Sequence, residues 1–192
     1  MADEITLGQL ADIRTGYVFR SGVENDPAGD MRVVGMKDLK ADLGVDWSGV
    51  VRIRSEQNLT DFLLQDGDIL FTVRGARFYG VYMEKVSGRA IASHHLFHIR
   101  VRDRKVIRPT FLAWIMNRAE AQRYYAEHAM GQSSLRGLRR PDMQNLPLRL
   151  PPLAKQDEIM RAVDCMRREI ELFEASKQNR LALQEALAAE LC

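Results

Sequence analysis

Between residues 96 and 102 the chain alternates with period two. Leu96, His98, Arg100 and Arg102 interleave with Phe97, Ile99 and Val101, which predicts a strand with an apolar face and a His/Arg face. "DILFTV" (68–73) is a run of β-branched and aromatic residues behind an Asp66-Gly67 tight turn, and predicts a buried strand. "MRVVGMKDL" (31–39) reads as a strand, "DLGVDW" (42–47) as a turn and short strand, and "LPLRL" (146–150) as the last strand. Residues 5–14 fit a strand or a short helix, Ser55 is a candidate cap for a short helical turn, and "SGVENDPAGD" (21–30) is a loop of turn formers. At least two strands fall within residues 80–103. Residues 108–130 predict one helix, with Pro109 near its start, Thr110 a candidate cap and Leu112, Ile115, Met116 and Ala119 on one face. His94 and His98 are placed on one face of a strand and His95 on the other.

After Pro152 the period changes. Ile159, Val163, Met166, Ile170 and Phe173 are spaced by four, three, four and three residues, a heptad-like seam. The polar "SKQNR" (176–180) interrupts it, and Leu183, Leu187 and Leu191 continue at four-residue steps. Helical throughout, residues 153–191 reach roughly 55–60 Å, longer than a small core covers. A hairpin broken at 177–179 and folded back is the alternative; otherwise the seam needs a partner. Pro151 has no N–H for a sheet and Pro152 is preset for a helix, so the pair switches the chain from one structure to the other.

Charge changes this picture. The net +2 is uneven: residues 1–71 hold 7 Lys/Arg against 13 Asp/Glu, residues 72–140 hold 14 against 4, and residues 141–192 hold 7 against 9. A concentrated basic block suits phosphate neutralisation, although basic residues close in sequence can also scatter over a folded surface. Cys165 and Cys192 form no metal or redox spacing, no stretch approaches eighteen apolar residues, and the acidic opening lacks a signal-peptide layout. The expectation is a reduced, cytoplasmic protein without a membrane segment, metal or cofactor.

Four stretches, in order, are "LGQLADIRTGYVF", "LLQDGDILFTVRG", "IASHHLFHIRV" and "LPLRLPPLAKQDEI". Together they resemble the target-recognition domain and long helix of the specificity subunit of type I restriction-modification systems. The resemblance covers roughly residues 5–190. Family members usually carry two recognition domains and two long helices; this chain has one of each and looks like half a subunit. Where many members have an acid before the helix-start glutamine, it has Lys155, with Asp157 and Glu158 taken to supply acid in the first turn. The resemblance implies an α/β (α+β) fold, with a curved, mixed-sheet recognition domain over 1–150 and a coiled-coil-forming helix over 151–192. It implies a non-catalytic protein that recognises double-stranded DNA for a DNA methyltransferase subunit, with a restriction and translocase subunit in the full system. At half size, it implies a homodimer reading an interrupted inverted repeat, or a free-standing DNA-binding module. A protein-interaction module that replaces a specificity subunit without reading DNA is the second reading.

Three segments are candidates for DNA contact. "VRGARFYG" (73–80) offers Arg74 and Arg77 about a small turn, with Tyr79. "GQSSLRGLRR" (131–140) offers Ser133 and Ser134 for phosphate and Arg136, Arg139 and Arg140 for charge. "TGYVFR" (15–20) offers Tyr17 and Arg20, with Lys37 on the next strand. The plainer alternatives are arginines paired with acids, a solvated loop, and Tyr17 and Phe19 as core. His94 is left to bond within the sheet or reach a base. The dimer seam comprises Ile159, Val163, Met166, Ile170, Phe173, Leu183 and Leu187. The three histidines of "SHHLFH" lack a nearby Cys or Asp for a zinc site. No Gly-rich phosphate loop or cofactor fingerprint is present, and the "DGD" carboxylates read as a turn and strand entry rather than a nuclease centre.

Overall fold

The computed structural model describes residues 4–20, 22–41, 44–55, 57–131 and 136–190. Its centre is β7, Ile69–Thr72, buried at every residue as its apolar run dictates. β10 (Leu96–Val101) pairs antiparallel with β7 on one side and with β2 (Ala11–Thr15) on the other. β8 (Gly80–Tyr82) pairs antiparallel with the free side of β7, giving the order β2-β10-β7-β8. A second sheet has the order β6-β3-β9: β3 (Met31–Val34) lies antiparallel to β6 (Val51–Ile53) and parallel to β9 (Ala90–Ala92). Two two-stranded sheets complete the set, β1 (Glu4–Thr6) with β11 (Pro147–Arg149), and β4 (Leu39–Lys40) with β5 (Gly44–Val45). The α/β class and long terminal helix expected from the sequence are present; the strands are divided over four small sheets, of which β6-β3-β9 is mixed.

Residues 5–14 resolve into both expected elements, because α1 (Leu7–Leu10) is inserted between β1 and β2. Its start is closed by the Gln9 side chain, which accepts the Thr6 N–H at 2.8 Å. Ser55 caps no helical turn; the 3-10 turn is Thr60–Phe62, and Asn58 accepts the Thr60 N–H at 3.1 Å. His94 is not on a strand either. It and His95 form the turn between β9 and β10.

The helix expected over 108–130 is two helices, α2 (Pro109–Met116) and α3 (Ala119–His128), so the single-helix reading is corrected. Arg108, not Thr110, is the N-cap residue, and Ala119 is exposed. The break falls at Asn117, whose side chain is used elsewhere. Its Oδ1 accepts the Gly80 N–H and its Nδ2 donates to the Gly80 carbonyl, each at 2.8 Å. One amide thereby satisfies both backbone groups at the start of β8, which among the described residues has no further strand beside it. Beyond the break Tyr125 is fully buried, edge-on to Phe71 and Phe78, with its hydroxyl donating to the Met116 carbonyl.

The chain divides into two compact units, Met1–Leu153 and Ala154–Cys192. α5 (Leu153–Glu190) begins directly after Pro152 and runs 38 residues without a break, roughly 57 Å at 1.5 Å per residue. The hairpin at 177–179 does not form. The first turn contains no acid, contrary to expectation; Glu158 lies a turn further on and pairs with Lys155 at 2.8 Å. Along α5, Ile159 and Val163 are half-buried, whereas Met166, Ile170, Phe173, Leu183 and Leu187 are exposed, Phe173 to 68%.

Candidate nucleic-acid interface

The turn between β7 and β8 occupies residues 73–79. Its base is closed by Thr72, whose N–H donates to the Tyr79 carbonyl and whose Oγ1 accepts the Tyr79 N–H, both at 3.1 Å. Gly75 has φ +130°, a conformation strained for any residue with a Cβ, and its N–H donates to the Arg136 carbonyl at 3.1 Å. The Leu138 N–H donates back to the Val73 carbonyl at 3.0 Å, and Arg74 and Gly137 form a β-bridge. Gly137 also exchanges two hydrogen bonds with Met130. Two segments that the sequence offers as separate loops, 73–80 and 131–140, are therefore stitched together backbone to backbone through residues 73–75 and 136–138.

A second set of bonds gathers the other candidates beside them. The Ser93–His95 turn receives segments from three strands. The Ser93 N–H donates to Val34 at the end of β3, and the Val73 N–H at the end of β7 donates to the His95 carbonyl. The Tyr17 N–H, just beyond β2, donates to the Ala92 carbonyl, and Tyr17 pairs with Ser93. Such close approach requires glycine at 16, since a Cβ there would sit 2.2 Å from the Ser93 carbonyl oxygen. Lys37 is exposed in the 3-10 turn Met36–Asp38 rather than on a strand, and the Met36 methyl lies near Gly75. The His94 and His95 rings are 3.8 Å apart. Burial, then the neighbouring His94 and Arg74, lowers the His95 pKa from its ordinary value, as expected for an imidazole among cations.

The arginines differ in what they do. Arg74, Arg77 and Arg140 are exposed, and among the described residues none pairs with a carboxylate. Arg139 grips Asp142 with Nε and a terminal nitrogen at 3.0 Å each, holding that carboxyl below its usual range. The Arg136 guanidinium donates to the Ala126 and Ala129 carbonyls at the end of α3. Tyr79 is half-buried and donates its hydroxyl to the Leu39 carbonyl at 3.3 Å. Tyr17 stacks edge-on with Phe19 and Phe62 and bonds Gln57, at the margin of an open cleft of about 670 Å³ also lined by Arg20, Ile53 and Arg54. Ser133 and Ser134 lie outside the described residues.

Three arginines of the basic block pair with carboxylates of the acidic block before it. Arg89 pairs with Asp30 at 2.7 Å, Arg102 with Asp12 at 2.9 Å, and Arg100 with Asp68 at 2.7 Å. The last is a buried network. Asp68 takes both Arg100 nitrogens and His98 Nε2 (2.7 Å), and accepts the Gln65 N–H at 2.7 Å. Burial alone would raise its carboxyl, but the Arg100 and His98 bonds outweigh that and hold it down at about 2. Asp68 precedes β7, at the end of that strand away from the 73–79 turn. Arg100 also donates to the Leu63 carbonyl, and Leu64 bonds Ala90, so the network ties the four-stranded sheet to β9. The sequence reading of Asp68 as a strand entry missed this. The available signal was a carboxylate inside a buried run, with His98 and Arg100 sharing one face of a strand. Among the described residues, no group of three or more His, Cys, Asp or Glu is placed to hold a metal, and no helix is long and apolar enough to cross a membrane.

The family model for the type I restriction modification DNA specificity domain matches residues 2–182. Three solved structures are similar in fold. The S subunit of a type I restriction-modification system from M. genitalium superposes with TM-score 0.59 at 15% identity, covering 88% of this chain and 40% of that one. A chain from a structure of complex assembly and conformational transition of the type I R-M system gives 0.67 at 18%, covering 96% and 43%. The HsdS subunit from Thermoanaerobacter tengcongensis gives 0.61 at 17%, covering 91% and 39%. The chain thus spans about two fifths of the length of each of these proteins. No curated protein gives a significant match.

Proposed function

Since the chain belongs to the family of type I restriction modification DNA specificity domains, whose role is DNA target recognition, we propose that its 73–79 and 136–140 segments form the surface that reads one double-stranded half-site. The observation that carries this reading is the joining of those segments, which brings together Arg74, Arg77 and Arg140, exposed and paired with no carboxylate among the described residues, next to the turns that hold Lys37 and His94. Arginine is suited to bidentate contact with guanine O6 and N7 or with phosphate. Arg136 and Arg139 act differently in this account, one bracing α3 and the other α4 (Arg140–Gln144). Tyr17, bonded beside the Ser93 turn, and Arg20, which lines the adjacent cleft, flank the reading surface.

We further propose that residues 1–150 read DNA and 151–192 set spacing. Two copies associate through Ile159, Val163, Met166, Ile170, Phe173, Leu183 and Leu187, with α5 helices antiparallel. A two-fold pair reads an interrupted inverted repeat, and the assembly docks a DNA methyltransferase subunit while itself catalysing nothing. The exposed apolar side chains of α5 support a partner for that helix.

Selection from a randomised duplex pool with the purified chain tests this. Two inverted half-sites at one fixed spacing are expected. A lone half-site would keep the reading surface and remove the dimer. Enrichment of no sequence, with the methyltransferase subunit present, would favour a protein-interaction module in its place.

A further inference from the structure

The 73–79 turn carries Arg74 and Arg77, and besides Thr72 at its base the side chains that fix its outgoing limb come from the α2–α3 break and the start of α3. Asn117 holds both backbone groups of Gly80 at 2.8 Å. Gln122, in the first half of α3, donates its Nε2–H to the Phe78 carbonyl at 2.8 Å. Phe78 is itself buried, with its ring against Tyr125. Two amide side chains therefore hold three backbone groups just after Arg77: the Phe78 carbonyl, and the Gly80 N–H and carbonyl. The incoming limb is held by the backbone of 136–138, and Thr72 at its base joins the two limbs, bonding Tyr79 and donating its hydroxyl to the Arg77 carbonyl at 3.4 Å.

From this arrangement we infer that Asn117 and Gln122 are positioning residues for DNA discrimination: they set the direction in which Arg77 leaves the domain, without touching DNA themselves. The inference rests on the proposed reading surface. Physically, a bidentate arginine contact is selective only while its fork is held in register with a base edge; a phosphate contact tolerates displacement because it depends mainly on charge. Releasing the Phe78 carbonyl should cost sequence discrimination and leave charge-driven binding alone. The break in the helix then has a role, since Asn117 reaches β8 at the point where α2 ends.

The test uses the full chain, the duplex that the wild-type chain enriches, and a scrambled duplex of equal length. Gln122→Met removes the donor at nearly constant volume, and Arg77→Ala removes the reader. In the wild-type background Gln122→Met should lower the ratio of specific to scrambled affinity by about tenfold, with scrambled-duplex affinity within about twofold. In an Arg77→Ala background it should lower that ratio no further, because the two act through one contact. Gln122→Lys, which restores a donor, should recover most of the ratio. Should Gln122→Met fold poorly, Asn117→Asp, which keeps the acceptor for the Gly80 N–H and loses the donor to its carbonyl, should show the same non-additivity with Arg77→Ala. Loss that is additive with Arg77→Ala, or a Gln122→Met chain that discriminates like wild type, would overturn the inference while the reading surface stands. An Arg77→Ala chain with wild-type discrimination would take Arg77 out of the reading surface and overturn the inference with it.

Discussion

Asp68→Asn keeps the shape of a buried side chain and removes the charge on which the His98–Asp68–Arg100 network is built. The Asp68 carboxyl sits at about 2 against an ordinary 3.8. At about 1.4 kcal/mol per pH unit, that gap corresponds to about 2–2.5 kcal/mol at neutral pH. Asp68 and His98 are almost fully enclosed, but the Arg100 side chain is 38% exposed and regains water when its partner goes. The loss should therefore fall below the roughly 3–5 kcal/mol seen when a fully buried pair is broken. Urea unfolding at pH 7 should show Asp68→Asn less stable by about 2–3 kcal/mol. The pH dependence has a definite sign. A carboxyl whose folded value is depressed contributes above its unfolded value and loses that contribution as pH falls through the folded one. The wild-type chain should lose this increment between about pH 4 and pH 2, and the gap between the two proteins should close over that window. A loss under about 0.5 kcal/mol at pH 7, or a gap that stays constant down to about pH 2, would refute the account of the network.

Ile170→Glu places a charge on the exposed apolar stripe of α5 and should halve the solution mass measured by light scattering; wild-type mass in that variant would remove the proposed seam. Gly75→Ala should lower stability by about 1–2 kcal/mol in urea unfolding. Strain at φ +130° is the cause, since the nearest atoms to the new Cβ would be at ordinary distances of 3.7 and 3.8 Å.

What the sequence showed and what it hid divide along physical lines. β7, β10 and α5 were legible because each is specified by a local period, a buried apolar run, an alternation or a heptad. The continuity of α5 across 176–180 is consistent with this, since none of those five polar residues breaks a helix. The split between α2 and α3 was not legible. Asn117 is an unexceptional helix residue locally, and its partner, Gly80, is 37 positions away. The union of the two basic loops was hidden for a different reason. It is made by backbone groups of Val73, Gly75, Arg136 and Leu138, and backbone bonds leave no side-chain signature. Charge counting also misled in part, because Arg89, Arg100 and Arg102 are spent on Asp30, Asp68 and Asp12. Of the arginines offered for DNA contact, the sequence could not separate Arg74, Arg77 and Arg140 from Arg139, whose charge is committed to Asp142 three residues on.

The central claim is that the joined 73–79 and 136–140 segments read DNA, and the most direct measurement is duplex affinity across a salt series for wild type and for the triple Arg74→Ala, Arg77→Ala, Arg140→Ala variant. Removing one phosphate-binding side chain should lower the slope of log affinity against log salt by about one, and removing one base-reading side chain should cost about 1–3 kcal/mol of discrimination. The account predicts a triple variant that still folds, with a shallower slope and little preference for the selected duplex. A triple variant with the wild-type slope and preference would contradict it.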